Sequence, residues 1–215
     1  MSRVIVIGAH GKVALLALAL LVDAGHEVVG VIRNSDHVAD VEATGATASV
    51  ADVERLSTDE LATLLASYDV VVWSAGAGGG SAERTYAVDR DAAIRSMDTA
   101  AREGVPRYVM VSYFGAGPDH GVPEDDPFHA YADAKTAADE HLASSDLAWT
   151  ILRPSGLTLE APTGRIETGN AVTASRVSRG NVAQVIAAVV DHPDSTSRLM
   201  LAFNDGEQPI EQVVG

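Results

Sequence analysis

A run of strand-forming residues at 3–7 ends in Gly8-Ala9-His10-Gly11-Lys12-Val13-Ala14, and an apolar stretch of helical character follows at once. Small residues at every third position between a strand and a helix let the backbone turn tightly and keep side chains out of the way. They also aim the free amides of a helix N-terminus at one point. An anion of phosphate type is what such a turn receives best. The spacing is Gly-x-x-Gly-x-x-Ala, so Ala14 takes the third small position, where helix and strand pack closely and a methyl group is tolerated. His10 either reaches a phosphate or simply spaces the two glycines.

The punctuation of the rest is regular. Apolar periodicity predicts helices over 11–24, 35–44, 56–67, 84–103, 129–144 and 181–191. Strands are predicted over 27–32, 46–50, 69–74, 107–112, 149–152 and 198–203, the sixth of the chain stopped by Arg153-Pro154. Trp73 and Trp149 fall in predicted strands and read as core. Strands alternating with helices imply right-handed crossovers and a parallel sheet covered on both faces. With the glycine turn after the first strand, the expected architecture is an α/β, doubly wound sheet of Rossmann type. After Pro154 the pattern changes, and 155–178 is rich in glycine, threonine and alanine. At 215 residues the chain reads as one domain, with 1–154 as a core and 155–215 as a small C-terminal region on the substrate side.

Charge excludes one class of partner. The chain has 30 acidic against 15 basic residues, a formal net charge of -15. Such a surface repels a phosphate backbone, and no basic cluster offsets it, so nucleic acid is not expected as a partner. The absence of cysteine removes disulfides, thiol nucleophiles and Cys-ligated zinc. Residues 13–22 have the length of a signal-peptide core and are too short to span a bilayer. A strand and two glycines precede them and no cleavage site follows, so they read as a buried helix. The expectation is a soluble, cytoplasmic protein without membrane contact, acting on small molecules as a monomer or homodimer.

Four places carry chemistry. At the end of the second predicted strand, where an acid would accept from an unphosphorylated ribose, stands Arg33, which suits a 2′-phosphate or else is a solvated strand-end arginine. Asp52 either accepts from an adenine amino group or caps a helix beginning near Glu54. Ser74-Ala75-Gly76-Ala77 lets backbone approach a ligand, and Gly78-Gly79-Gly80 reads as a turn. Tyr131 and Lys135 lie four apart on one helix face, and an ammonium beside a phenol favours the phenolate. Ser112, closing the fifth strand, can share a carbonyl oxygen with that phenol. The long connection 113–128 reads as a mobile wall over the substrate. His120, Glu124, Asp125, Asp126 and His129 near it lack tight metal-ligand spacing and read as a solvated loop.

Together the Gly8–Ala14 turn, Val109-Met110-Val111-Ser112, Tyr131-x-x-x-Lys135, Ile151-Leu152-Arg153-Pro154-Ser155-Gly156-Leu157, Val88-Asp89 and Ser178-Arg179 make the chain resemble an atypical short-chain dehydrogenase/reductase of the compact, sugar-epimerase-like kind. The resemblance implies that Gly8, Gly11 and the backbone of His10, Lys12 and Val13 hold a pyrophosphate, and that Arg33 holds the 2′-phosphate of NADP, NAD being the alternative cofactor. It implies that Asp52 and Val53 border the adenine and that Ala75 and Gly76 line the ribose. Ser112, Tyr131 and Lys135 become the catalytic set: Tyr131 donates a proton, Lys135 binds nicotinamide ribose and lowers the phenol pKa, and Ser112 orients substrate. Pro154 borders the nicotinamide. The implied activity is hydride transfer between NADP(H) and a small carbonyl or alcohol. The alternatives are a nucleotide-sugar epimerase or dehydratase and a non-catalytic NADPH-binding redox sensor.

Overall fold

The computed structural model describes residues 1–79, 81–169 and 171–215. Gly80, the third member of the predicted glycine turn, lies outside the described residues. In chain order the strands are β1 (Arg3–Ile7), β2 (Glu27–Ile32), β3 (Thr47–Val50), β4 (Val70–Trp73), β5 (Arg107–Val111), β6 (Ala148–Pro154), β7 (Gly156–Thr158), β8 (Arg165–Thr168), β9 (Arg176–Ser178), β10 (Leu199–Asp205) and β11 (Gln208–Pro209). The helices are α1 (Lys12–Asp23), α2 (Val38–Glu42), α3 (Thr58–Leu65), α4 (Ala82–Thr85), α5 (Ala93–Arg102), α6 (His129–Ser144), α7 (Arg179–Asp191) and α8 (Ile210–Val214). Among the described residues, no helix is long and apolar enough to cross a membrane.

One sheet has the order β11-β8-β10-β6-β5-β4-β1-β2-β3, and all neighbours from β10 to β3 run parallel. The order reverses between β1 and β4, so the carboxyl ends of those two strands open a crevice where a ligand binds in such sheets. β8 and β11 add antiparallel beyond β10, and β7 pairs with β9 in a separate ribbon. The expected doubly wound, Rossmann-type sheet is therefore the observed fold.

Alternation along the strands builds the two covered faces. Val4, Val6, Val70 and Val72 join α1 and α7 in one apolar layer, whereas Ile5, Ile7, Val71 and Trp73 join α5 and α6 in the other. Each fully buried aliphatic or aromatic side chain contributes about 1.5–3 kcal/mol relative to exposure. Trp73 and Trp149 both sit in the second layer. Arg107 is buried as well, and its guanidinium donates to Ala148 O, Thr150 Oγ1, Val189 O and Thr196 Oγ1. These bonds tie β5 to β6, α7 and the turn before β10, and burial pushes the Arg107 pKa down to about 10.

Two expectations need correction. β6 does not stop before Arg153-Pro154 but includes both residues, because β10 pairs with it as far as Phe203 opposite Pro154. Pro154 lies past Leu152, the partner of the last β5 residue, so its missing N–H interrupts no ladder bond on that side. The region 155–178, marked in the sequence only by its change of pattern, holds β7, β8 and β9. The long helix predicted at 84–103 begins earlier, with Ser81 accepting from Arg84 N at 3.3 Å, and carries a π-helical turn over Tyr86–Ala92.

Gly8 positions the crevice. It holds φ +85°, and a Cβ there would stand 2.5 Å from Ala75 Cα and 2.6 Å from Ala75 N. Gly8→Ala must therefore separate the β1 and β4 loops as well as adopt a left-handed backbone. We expect a loss of at least about 2 kcal/mol, read as a lower urea midpoint with unchanged slope.

Candidate functional site

Two cavities meet at the crevice. One, of about 320 Å³, is lined by Gly8, His10, Arg33, Asp52, Val53 and Arg84 among others. The second, of about 390 Å³, is lined by Lys12, Val13, Asp89, Ser112, Tyr131, Lys135 and Pro154 among others. Gly11, Ser74, Ala75 and Gly76 border both, so the two form one continuous cleft over the β1–β4 switch point. The structure thus brings every sequence-predicted site residue to this cleft.

At its centre lies the start of α1. Gly8 N and Ala9 N both donate to Val31 O, at 3.1 and 3.0 Å, and Gly11 N donates to Gly8 O at 3.0 Å. Those bonds fix the turn. The amides of Lys12, Val13 and Ala14 have no hydrogen-bond partner among the described residues, and Gly11 supplies no capping side chain. With no acid in the first helical turn, this end of α1 is fit to receive an anion. His10 turns aside: its Nε2 lies 2.8 Å from Asp40 Oδ2, and its ring stacks on His37 at 3.5 Å.

In the first cavity, Arg33 is exposed at the rim and makes no hydrogen bond or ion pair with the described residues, so its guanidinium is free for an anion. Asp52 does not cap a helix. α3 starts at Thr58, and Ser57 and Glu60 form a reciprocal capping box, while the Asp52 carboxylate lies 3.5 Å from Arg55 Nε. Arg84, which the sequence reading passed over, crosses this part of the cleft, donating to Ala77 O at 2.6 Å and standing 3.6 Å from Glu54.

The second cavity is governed by buried charge. Lys135 is 1 % exposed and donates to Val111 O at 2.8 Å and, more weakly, to Met110 Sδ at 3.3 Å. Asp139, one helical turn further along α6, is fully buried; its Oδ2 accepts from Ser112 Oγ at 2.8 Å and Arg153 Nε at 3.0 Å. Asp89, also buried, comes from the π turn, and its Oδ2 accepts from Ala77 N at 2.8 Å. Burial pushes the Lys135 pKa down, and the carboxylates of Asp89 and Asp139 pull it back up. Burial likewise raises both carboxyl pKa values, against the opposing charge of Lys135.

Tyr131 departs from expectation. Burial pushes its pKa well up, and the charges of Asp89 and Asp139 and the neighbouring Tyr113 push it further. Burial therefore keeps the phenol protonated, and the two carboxylates act in the same direction. Ser112 also differs, since its hydroxyl proton is directed to Asp139 and its oxygen is left as an acceptor toward the cavity. Tyr113 and Phe128 pack on Tyr131, with ring centroids 5.6 and 5.1 Å away.

The 113–128 connection is tied to α6. Thr136 Oγ1 accepts from Gly117 N at 3.0 Å, and Asp133 takes His120 Nε2 at 3.1 Å and lies 3.4 Å from His129 Nε2. Of the residues missed, Asp139 had a readable signal: Tyr131, Lys135 and Asp139 recur at every fourth position of one helix. Arg153 was visible only as a strand stop.

Comparison with known proteins agrees with this geometry. Residues 8–193 match the NAD(P)H-binding family. The chain is 35% identical to the UPF0659 protein C216.03 of Schizosaccharomyces pombe, over 100% of this chain and 94% of that one. It is similar to a solved Bacillus halodurans structure provisionally described as an NAD-dependent epimerase/dehydratase, at 34% identity and TM-score 0.90, covering 100% and 99% of the two chains. The oxidoreductase ylbE of Lactococcus lactis aligns at 25% identity and TM-score 0.86, over 99% of this chain and 94% of its own.

The buried carboxylates have a measurable consequence. The folded pKa of Asp139 lies above its ordinary 3.8, because burial outweighs Lys135, Arg153 and Ser112. Its contribution to stability is therefore full below the unfolded pKa and is lost as pH rises through the folded one. Urea midpoints followed from about pH 4 upward should decline less steeply in Asp139→Asn than in the parent protein. Equal slopes would remove Asp139 as their source.

Proposed function

The chain belongs to the NAD(P)H-binding family, and we propose that within it the protein is an oxidoreductase of short-chain dehydrogenase/reductase type that moves hydride between NADP(H) and a small carbonyl or alcohol. The observation that carries this reading is the continuity of the cleft, from the unpaired guanidinium of Arg33, past the partnerless amides of α1, to the phenol of Tyr131. A dinucleotide has this sequence of chemistry, a ribose phosphate, a pyrophosphate and a second ribose. The description of the Lactococcus lactis relative as an oxidoreductase supports it. One domain spanning 1–215 suits it too, with 155–215 closing the substrate side.

The nicotinamide, when bound, supplies or accepts the hydride; the chain's own residues bind, orient and move a proton. The amides of Lys12, Val13 and Ala14 hold the pyrophosphate, and Arg33 the 2′-phosphate, where its fork matches the oxygens. Asp52 and Val53 border the adenine, while Ala75 and Gly76 leave room for sugar. Tyr131 is the general acid. A phenol whose pKa is raised stays protonated at neutral pH, which is the state needed to donate to a carbonyl oxygen during reduction. Lys135, held on Val111 O, keeps α6 against β5 and so sets the position of the phenol. Ser112 accepts from a substrate hydroxyl, and Pro154 and Leu157 present an apolar wall that excludes water.

A second reading is a nucleotide-sugar epimerase or dehydratase using the same phenol, favoured by the description of the Bacillus halodurans relative. Against it stands Arg33, which suits a phosphorylated ribose. The -15 charge suits a soluble cytoplasmic enzyme acting on small molecules as a monomer or homodimer, away from nucleic acid.

Two measurements test the reading. Tyr131→Phe should lower carbonyl-dependent NADPH oxidation by roughly 100-fold or more while leaving the NADPH Kd nearly unchanged. Unchanged turnover would remove Tyr131 from the mechanism. Arg33→Asp should reverse a preference for NADPH into one for NADH, and parent protein that binds both equally would overturn the role of Arg33.

A further inference from the structure

Among the described residues, two buried carboxylates of the site have an oxygen without a hydrogen-bond donor, Asp89 and Asp139, and of these Asp89 lines the cleft. It is 1 % exposed and lines the Tyr131 end of the cleft, beside Ser74, Ala75 and Gly76. Its Oδ2 accepts from Ala77 N at 2.8 Å, but Oδ1 is buried without a hydrogen-bond donor among the described residues. Leaving a charged acceptor unsatisfied is costly, so such a group calls for a donor that arrives from outside the chain.

The neighbouring cations do not supply it. Lys135 acts on Asp89 through its charge, yet its hydrogen bonds go to Val111 O and Met110 Sδ. Arg84 is directed to Ala77 O and Glu54. Local backbone is shaped around the free oxygen. Asp89 projects from the π-helical turn, and a Cβ on Gly76 would stand 2.9 Å from Oδ1. Any larger residue at 76 would displace the carboxylate.

We infer that Asp89 Oδ1 accepts a hydrogen bond from a hydroxyl of the ribose on the nicotinamide side of the dinucleotide. This assignment rests on the reading that the cleft holds NADP(H). The position selects the sugar: Asp89 shares Ser74, Ala75 and Gly76 with the junction of the two cavities, where Gly11 and the α1 amides lie. The group following the pyrophosphate there is the second ribose, a neutral diol rich in donors, which a carboxylate binds by charge-assisted hydrogen bonds. A binding role on the π turn, which packs beside α6, thereby joins the one that the resemblance gives to Lys135.

The test is isothermal calorimetry on the full chain, parent and Asp89→Asn, with NADPH, 2′-phospho-ADP-ribose and adenosine 2′,5′-bisphosphate, the last of which lacks the second ribose. In Asp89→Asn the amide oxygen stays with Ala77 N–H, so an N–H group replaces the free acceptor. Affinity for NADPH and 2′-phospho-ADP-ribose should fall roughly tenfold or more, with the bisphosphate unchanged. Equal affinities in the two proteins overturn the assignment, and so does an equal loss on all three ligands. If the variant does not fold, a crystal structure of the parent protein with 2′-phospho-ADP-ribose decides. A ribose hydroxyl at hydrogen-bond distance from Oδ1 supports the assignment, and hydroxyls that contact Lys135 but not Asp89 overturn it. Parent protein that binds none of these ligands, nor NADH, removes the dinucleotide reading and the ribose assignment together. Parent binding without an effect of the variant removes the assignment alone.

Discussion

Lys135 cannot be buried alone. Removing an unpaired ammonium from water costs several kcal/mol, and here two buried carboxylates, Asp89 and Asp139, with the guanidinium of Arg153 against Asp139, bring the local charge to balance. The four groups come from the π turn, from α6 and from β6, and the ammonium is bonded to the carbonyl of Val111 at the end of β5. None of these elements can shift without leaving a charge uncompensated in a low-dielectric interior. The cluster therefore fixes the wall from which Tyr131 and Ser112 face the cleft. Burial dominates the phenol of Tyr131, and the two carboxylates of the cluster add to the same upward shift.

The overall field of the molecule makes the cofactor end demanding. A chain of net charge -15 repels a polyphosphate at long range, and only local groups can reverse that repulsion. Among the described residues these are three partnerless amides at the start of α1, within the crevice where screening matters least, and Arg33 at its rim, which forms no ion pair. Elsewhere on this acidic surface arginines commonly sit beside acids, as Arg55 does with Asp52 and Arg90 with Asp91. The bareness of Arg33 is what gives it meaning.

Much of the fold was legible because local signals and long-range packing agree. The apolar alternation of β1 and β4 fills both faces, and α6 spans the predicted residues 129–144. What was not legible depends on partners distant in sequence. Arg153-Pro154 reads as a terminator until β10 is seen to carry β6 through Pro154. A π turn is a matter of one extra residue per turn, which periodicity over a short window does not resolve. The start of α3 was readable, since Ser57 and Glu60 have the spacing of a capping box, but Asp52 competed for the same role. Within the site, residue types were visible and their couplings were not. Tyr131 and Lys135 suggested an acidified phenol, whereas burial, reinforced by Asp89 and Asp139, drives the shift the other way.

The contact between Gly8 and the backbone of Ala75 has a bearing on how such a cleft can diversify. Because the two loops touch with no room for even a methyl group, the middle of the crevice behaves as a fixed pivot, common to whatever lies on either side. Variation is admissible only outward from that pivot: at the Arg33 rim, which discriminates between ligands, and at the Phe128 and Leu157 lip, where bulky side chains stand partly open to solvent. Each end can be rebuilt without disturbing the other, so selectivity for one bound molecule can drift while selectivity for its companion stays in place.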